Sequence, residues 1–145
     1  MNEIFTSPQF WAIFIPAVVA VITLYLTKKY EIESEWRKQK LNHYKVLLSS
    51  ISDLAIDDTD KDEANLKFAL ATNTIALVAP QQVITALMAF HDYTQMSNPN
   101  QTIEKHDELL IKLLLEIRRD LGVSKKDNPS SFTYHLVGSR NKKNL

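Results

Sequence analysis

The chain has 145 residues, with seventeen Lys or Arg against seventeen Asp or Glu, no Cys, two Gly and five Pro. That length fits one domain with an appendage. The absence of Cys excludes disulfides and thiolate zinc sites, and two glycines exclude the Gly-rich phosphate loops of nucleotide enzymes. A net charge of zero argues against strong nucleic-acid binding, which needs a basic excess to neutralise phosphates.

The zero is a sum over unlike segments. Ile4 to Thr27 carries no charged side chain, and within it Pro8 to Leu26 is a nineteen-residue apolar run. As a helix this run would span roughly 28 Å, close to the hydrocarbon thickness of a bilayer. A core helix of a small soluble protein would show a polar stripe, and none is present, so a transmembrane helix is expected. Ser7 and Pro8 suit an N-cap and first-turn proline. Phe10 and Trp11 at one end, and Tyr25 and Tyr30 at the other, suit the two membrane interfaces. Pro16 removes a hydrogen bond inside the helix and predicts a tolerated kink. No Lys or Arg precedes Phe10 and TKKYEIE offers no cleavage site, so an uncleaved anchor is expected rather than a signal peptide. Lys28, Lys29, Arg37, Lys38, Lys40 and Lys45 follow the anchor. The positive-inside rule then puts the N-terminus outside and the remainder in the cytoplasm.

The segment after the anchor has no Gly or Pro up to Ala55 and continues as helix. Leu41, Tyr44, Leu48, Ile51 and Ala55 trace one apolar stripe by 3-4 spacing. This candidate interaction stripe is either packed within one chain, which is the default, or used as a dimer seam; two heptads are too few for a coiled coil. The acidic break DDTDKDE, residues 57–63, lacks the central Gly and terminal Glu of a calcium loop and reads as solvated. Asp60 and Glu63 have capping-box spacing, so a helix should start near Lys61. It is expected to run to Val78 with Leu66, Leu70, Asn73 and Leu77 on one face. Pro80 ends it and opens a helix of about Pro80 to Gln95, with Val83, Leu87, Phe90 and Thr94 in register. SNPNQ, residues 97–101, is a turn. Thr102 caps the last helix. Ile103, His106, Leu110, Leu113, Leu114, Ile117 and Leu121 form its inward face, and Gly122 closes it.

Beyond Val123, SKKDNPSS reads as a linker and FTYHLVG has a short strand-like alternation. Arg118 to Leu145 holds seven basic and two acidic residues. A tail of this kind either contacts anionic headgroups, at about 1 kcal/mol per basic residue, or stays solvated and mobile. The expected fold is all-α: anchor and external N-terminus at 1–27, an antiparallel bundle of about four helices at 28–122, and a basic flexible tail at 123–145.

No conventional active site is visible. His91-Asp92 and His106-Asp107 resemble the HD pairs of metal-dependent phosphohydrolases, but the full set also needs a further His and a distant Asp at longer spacing. Adjacent helix residues diverge by about 100°, so the pair alone is no chelate. His106 is expected partly buried and His91 exposed. Ser49, Ser50 and Ser52 lack a nucleophile-elbow context. The basic, aromatic segment Tyr30 to Tyr44 is offset by three glutamates and reads as a solvated juxtamembrane helix. No catalytic residue, metal or cofactor is assigned.

The layout resembles a loose group of uncharacterised bacterial and prophage proteins with one anchor and a small cytoplasmic bundle. The stretches EWRKQKLNHYKVLLSSI and HDELLIKLLLEIRRDLG carry the resemblance, which runs to Gly122. It implies no assigned activity; similar small membrane proteins sit among mobile elements and defence genes. Three functions follow as expectations: a non-catalytic membrane-tethered module that binds a protein partner or itself; an effector that oligomerises in the bilayer through Pro16, Ala17 and Ala20; and an HD-type hydrolase.

Overall fold

The computed structural model describes residues 8–56, 60–95, 98–123 and 127–136. Four α-helices make up the fold: α1 (Pro8–Ala55), α2 (Lys61–Ile75), α3 (Gln81–Thr94) and α4 (Ile103–Asp120). No strand is present among the described residues, so the chain is all-α; Phe132 to Leu136 has no ladder partner despite its alternation. The chain divides into two compact units, one ending at Lys38 and the other beginning at Gln39.

The first unit is the leading part of α1. Pro16 lies inside this helix. Every described apolar side chain from Trp11 to Leu26 is exposed, with Ile13 at 75% and Tyr25 at 69%. This is the one helix among the described residues long and apolar enough to cross a membrane.

The second unit has a core drawn from all four helices. Tyr44, Leu47 and Ile51 come from α1; Phe68, Ala71 and Ile75 from α2; Val83, Ala86, Leu87 and Phe90 from α3; Leu110, Leu113, Leu114 and Ile117 from α4. The inward face of α1 therefore keeps Tyr44 and Ile51 but adds Leu47, which is fully buried, and leaves Leu41 exposed. Leu48 lies half-buried against the same core.

The face of α2 differs from the expected one. Leu66, Leu70 and Leu77 are exposed, and Asn73 with them. Ala64, Phe68, Ala71 and Ile75 are buried instead. The helix carries two apolar stripes two residues apart. Phe68 and Ile75 fill core volume while the two alanines admit close approach, a combination that a count of leucines passes over. The helix also ends at Ile75 rather than Val78. Its exit tightens into i→i−3 bonds, Leu77 N–H to the Thr74 carbonyl at 3.2 Å and Val78 N–H to the Ile75 carbonyl at 3.1 Å. Pro80 disfavours helical backbone at Ala79, which forces that exit. Pro80 is itself the extended N-cap of α3, so this helix starts at Gln81, one residue later than expected.

The ends of the helices are held by side chains. The Asp60 carboxylate accepts from the backbone N–H of Asp62 at 2.9 Å and of Glu63 at 3.3 Å. The Glu63 carboxylate is directed to Lys67 at 2.9 Å, an i,i+4 pair. Lys61 reaches back to the Leu54 and Ile56 carbonyls at 2.9 and 2.6 Å, so its ammonium satisfies acceptors left open where α1 stops. The end of α3 meets the start of α4 through Tyr93, whose hydroxyl accepts from Thr102 N–H at 2.6 Å. Thr102 in turn caps α4 by accepting from Lys105 N–H at 3.2 Å. With a short connection between them, α3 and α4 pack as an antiparallel hairpin. The α4 terminus is a Schellman motif: Val123 N–H bonds the Arg118 carbonyl at 3.0 Å, and Gly122 N–H bonds Arg119 at 3.1 Å. Gly122 has φ +67°, the left-handed value this motif needs. Ile103 departs from the expected inward face of α4 and is 78% exposed, since it lies in the first turn ahead of the core; Leu115 is buried in addition.

Candidate functional site

The residues singled out as an anchor all lie on the first unit. Phe10, Trp11 and Phe14 form an aromatic cluster, with Phe10 stacked on Phe14 at 5.4 Å and Trp11 edge-on to Phe14 at 5.9 Å. Phe14 was legible from the i, i+3 and i+4 spacing of the three rings but was not singled out by sequence. Tyr25 and Tyr30 are exposed further along. Lys28 pairs with Glu31 at 2.8 Å and Lys29 with Glu33 at 4.0 Å, both in solvent-facing positions. Pairs this exposed bind weakly and leave the basic flank free to exchange partners.

In the second unit the most constrained polar group is a cluster that the sequence did not suggest. Asp120, at the end of α4, accepts from the Lys40 ammonium at 2.9 and 3.1 Å and from the Tyr44 hydroxyl at 2.6 Å. The side chains of Lys40 and Asp120 are only 17% and 13% exposed. Burial pushes the Tyr44 phenol well above its ordinary range, and the Asp120 carboxylate adds to that. The phenol therefore stays protonated and donates. The arrangement fixes α1 to α4 through three hydrogen bonds from two donors to one carboxylate. Lys40 and Tyr44 share a helix face by spacing, but their partner is 76 residues or more away, which periodicity cannot reveal.

Between α1 and α2 lies an open groove of about 580 Å³. His43, Val46 and Ser49 line it from α1, and Lys67, Leu70 and Thr74 from α2. The misassigned α2 stripe supplies Leu70 here. The expected stripe on α1 contributes none of its five residues: Tyr44 and Ile51 are core, Leu48 abuts the core, and Leu41 and Ala55 are exposed. A dimer seam on those residues would require opening the core.

The two HD pairs are local. His91 Nδ1 is 3.2 Å from Asp92, and His106 Nδ1 is 3.2 Å from Asp107. His91 is half-exposed and stacks on Phe68, while His106 is half-buried against Phe90. Asp107 also meets His135 at 2.6 Å, bringing the end of the described tail onto α4. The His135 contact, aided by His106 and opposed by burial, holds the Asp107 carboxyl below its usual range. Arg118 extends the same attachment, pairing with Asp127 at 2.7 Å and lying 5.5 Å over the Phe132 ring. Leu136 then packs on the core. Among the described residues no three His, Asp or Glu side chains are grouped so as to hold a metal ion. Ser50 is buried and donates to the Leu47 carbonyl at 2.7 Å, which commits its hydroxyl to the helix.

Comparisons with protein families, with characterised proteins and with solved structures give no match. The functional reading therefore rests on the residues themselves.

Proposed function

We propose that the chain is a single-pass protein of the bacterial cytoplasmic membrane, with its N-terminus outside and its helical bundle inside, acting as a non-catalytic interaction module. In this reading the anchor holds the bundle at the membrane, and the bundle or the anchor engages a protein partner or a second copy. The resemblance to small bacterial and prophage membrane proteins is part of the same proposal. The observation that carries it is the burial contrast along α1: the stretch from Trp11 to Leu26 exposes its apolar side chains, whereas Tyr44, Leu47 and Ile51 are buried in a core. Exposed apolar surface of that extent is stable in lipid and costly in water. The charge-free run followed by six basic residues supports the orientation.

Protease accessibility tests the reading directly. With a tag on the C-terminus of the full chain, spheroplasts should protect the tag and inverted vesicles should expose it. The reverse pattern would refute the orientation. Depolarisation of expressing cells, abolished by Ala17→Leu or Ala20→Leu, would replace the tethered module with a bilayer-perturbing effector.

A further inference from the structure

Ile32 and Trp36 lie one helical turn apart on the part of α1 that follows the apolar run, and they are 68% and 51% exposed. The residues between and around them are charged or polar: Glu31, Glu33, Ser34, Glu35, Arg37 and Lys38. Two large apolar side chains on one face of a water-exposed helix have no burial partner within this unit. Traced backwards at alternating four- and three-residue steps, the same face passes through Lys29, Tyr25, Ile22, Val18 and Ile15. Inside a bilayer every register is apolar, so the anchor alone does not select a face. The residues beyond it do.

We infer that a second copy of this chain docks on that face, parallel and in register, with Ile15, Ile22, Lys29 and Trp36 at one core position of a heptad and Val18, Tyr25 and Ile32 at the other. The inference rests on the membrane reading, because two copies anchored in one bilayer in one orientation can meet only in parallel. Charge fits this pairing. In the register set by Ile32 and Trp36, Lys28 falls at the g position and Glu33 at the following e position, five residues later. In a parallel dimer that is the spacing at which a g side chain faces the e side chain of the other helix. Each Lys28 therefore meets a Glu33 of the second copy, twice by symmetry. In the single chain both residues are already in exposed pairs with neighbours, Glu31 and Lys29, which they can exchange. Lys29 then faces its own copy from a core position, a polar placement that fixes register at a cost in stability. Ala17 and Ala20 fall at c and f, on the far side of this seam, so the pairing differs from a small-residue contact through them.

Because the chain has no Cys, one introduced cysteine reports one position. Full-length Ile32→Cys, Trp36→Cys and Ser34→Cys variants, in isolated carbonate-washed membranes, are oxidised and run without reductant. Disulfide dimer is expected at 32 and 36 at several-fold higher yield than at 34, which faces away from the seam. In the Ile32→Cys background, Lys28→Glu should lower the yield and adding Glu33→Lys should restore it, while Ala17→Leu should leave it unchanged. Equal yields at 32, 34 and 36, or no dimer at any of them in protein retained by the membrane, would overturn the seam. Loss of the protein from the washed membranes would instead refute the anchor on which the seam rests.

Discussion

One helix, α1, lives in two regimes. Its leading part leaves every described apolar side chain from Trp11 to Leu26 exposed. Its trailing part buries Tyr44, Leu47, Ser50 and Ile51 against three other helices. The leading stretch is the more apolar, with a mean hydropathy of 2.2 over its eighteen-residue window. Pattern separates them as well: the trailing part alternates with Lys, Asn, His and Ser and presents one stripe, whereas the leading part has no polar side to turn toward water. A helix with a stripe specifies a protein neighbour; a helix without one specifies a solvent.

The sharpest way to break this comparison is to remove equal apolar bulk from both regions. Leu113→Ala empties a fully buried position and should destabilise the bundle by about 3 kcal/mol, a large share of a small domain's stability. Ile13→Ala removes similar bulk from a 75% exposed site and should leave bundle unfolding unchanged. Denaturant titration of detergent-solubilised protein, followed by helicity, compares the two. Equal effects would mean that the leading part shares the core.

Next in size is the polar lock. Asp120→Ala leaves the Lys40 ammonium and Tyr44 hydroxyl without their acceptor and should cost about 2 kcal/mol. Replacing both charges, Lys40→Met with Asp120→Leu, should recover much of that loss, because a buried pair contributes little net stability over apolar packing. Full recovery would limit the pair to orienting α4 against α1.

Gly122→Ala should cost about 1 kcal/mol, from backbone strain alone, since φ is +67° and an added Cβ would meet nothing within 4 Å. The smallest effect concerns Asp107. Its carboxyl is held below the ordinary 3.8 by the His135 contact first, so the folded state binds fewer protons there than the unfolded state. The stability from this contact is complete above that value and is lost as the pH falls through the lower folded one. The difference in thermal midpoint between the native chain and Asp107→Asn should therefore shrink on acidification through that window and stay level above it.

Much of this architecture was legible because it is local. The long apolar helix, the Asp60 and Thr102 caps, the Gly122 terminus and the inward leucines of α4 follow from spacing within a few residues. What escaped was decided by distant partners. On α2 two stripes competed, and only the neighbouring helices choose Phe68 over Leu66 and Leu70. Lys40, Tyr44 and Asp120 meet across the fold, as do Asp107 and His135, and no short-range pattern announces either meeting. The candidate interaction stripe illustrates both points: 3-4 spacing found the inward face of α1 at Tyr44 and Ile51, but placed Leu41 on it and missed Leu47.

The central claim is that the apolar surface of residues 8–26 is covered by lipid. Alkaline carbonate extraction of membranes from cells producing the full chain tests it most directly, because it strips peripheral proteins and spares those whose backbone crosses the bilayer. The protein should remain entirely in the membrane pellet and leave it only with detergent. Recovery of folded chain in the carbonate supernatant would contradict the claim and require a protein partner over that surface instead.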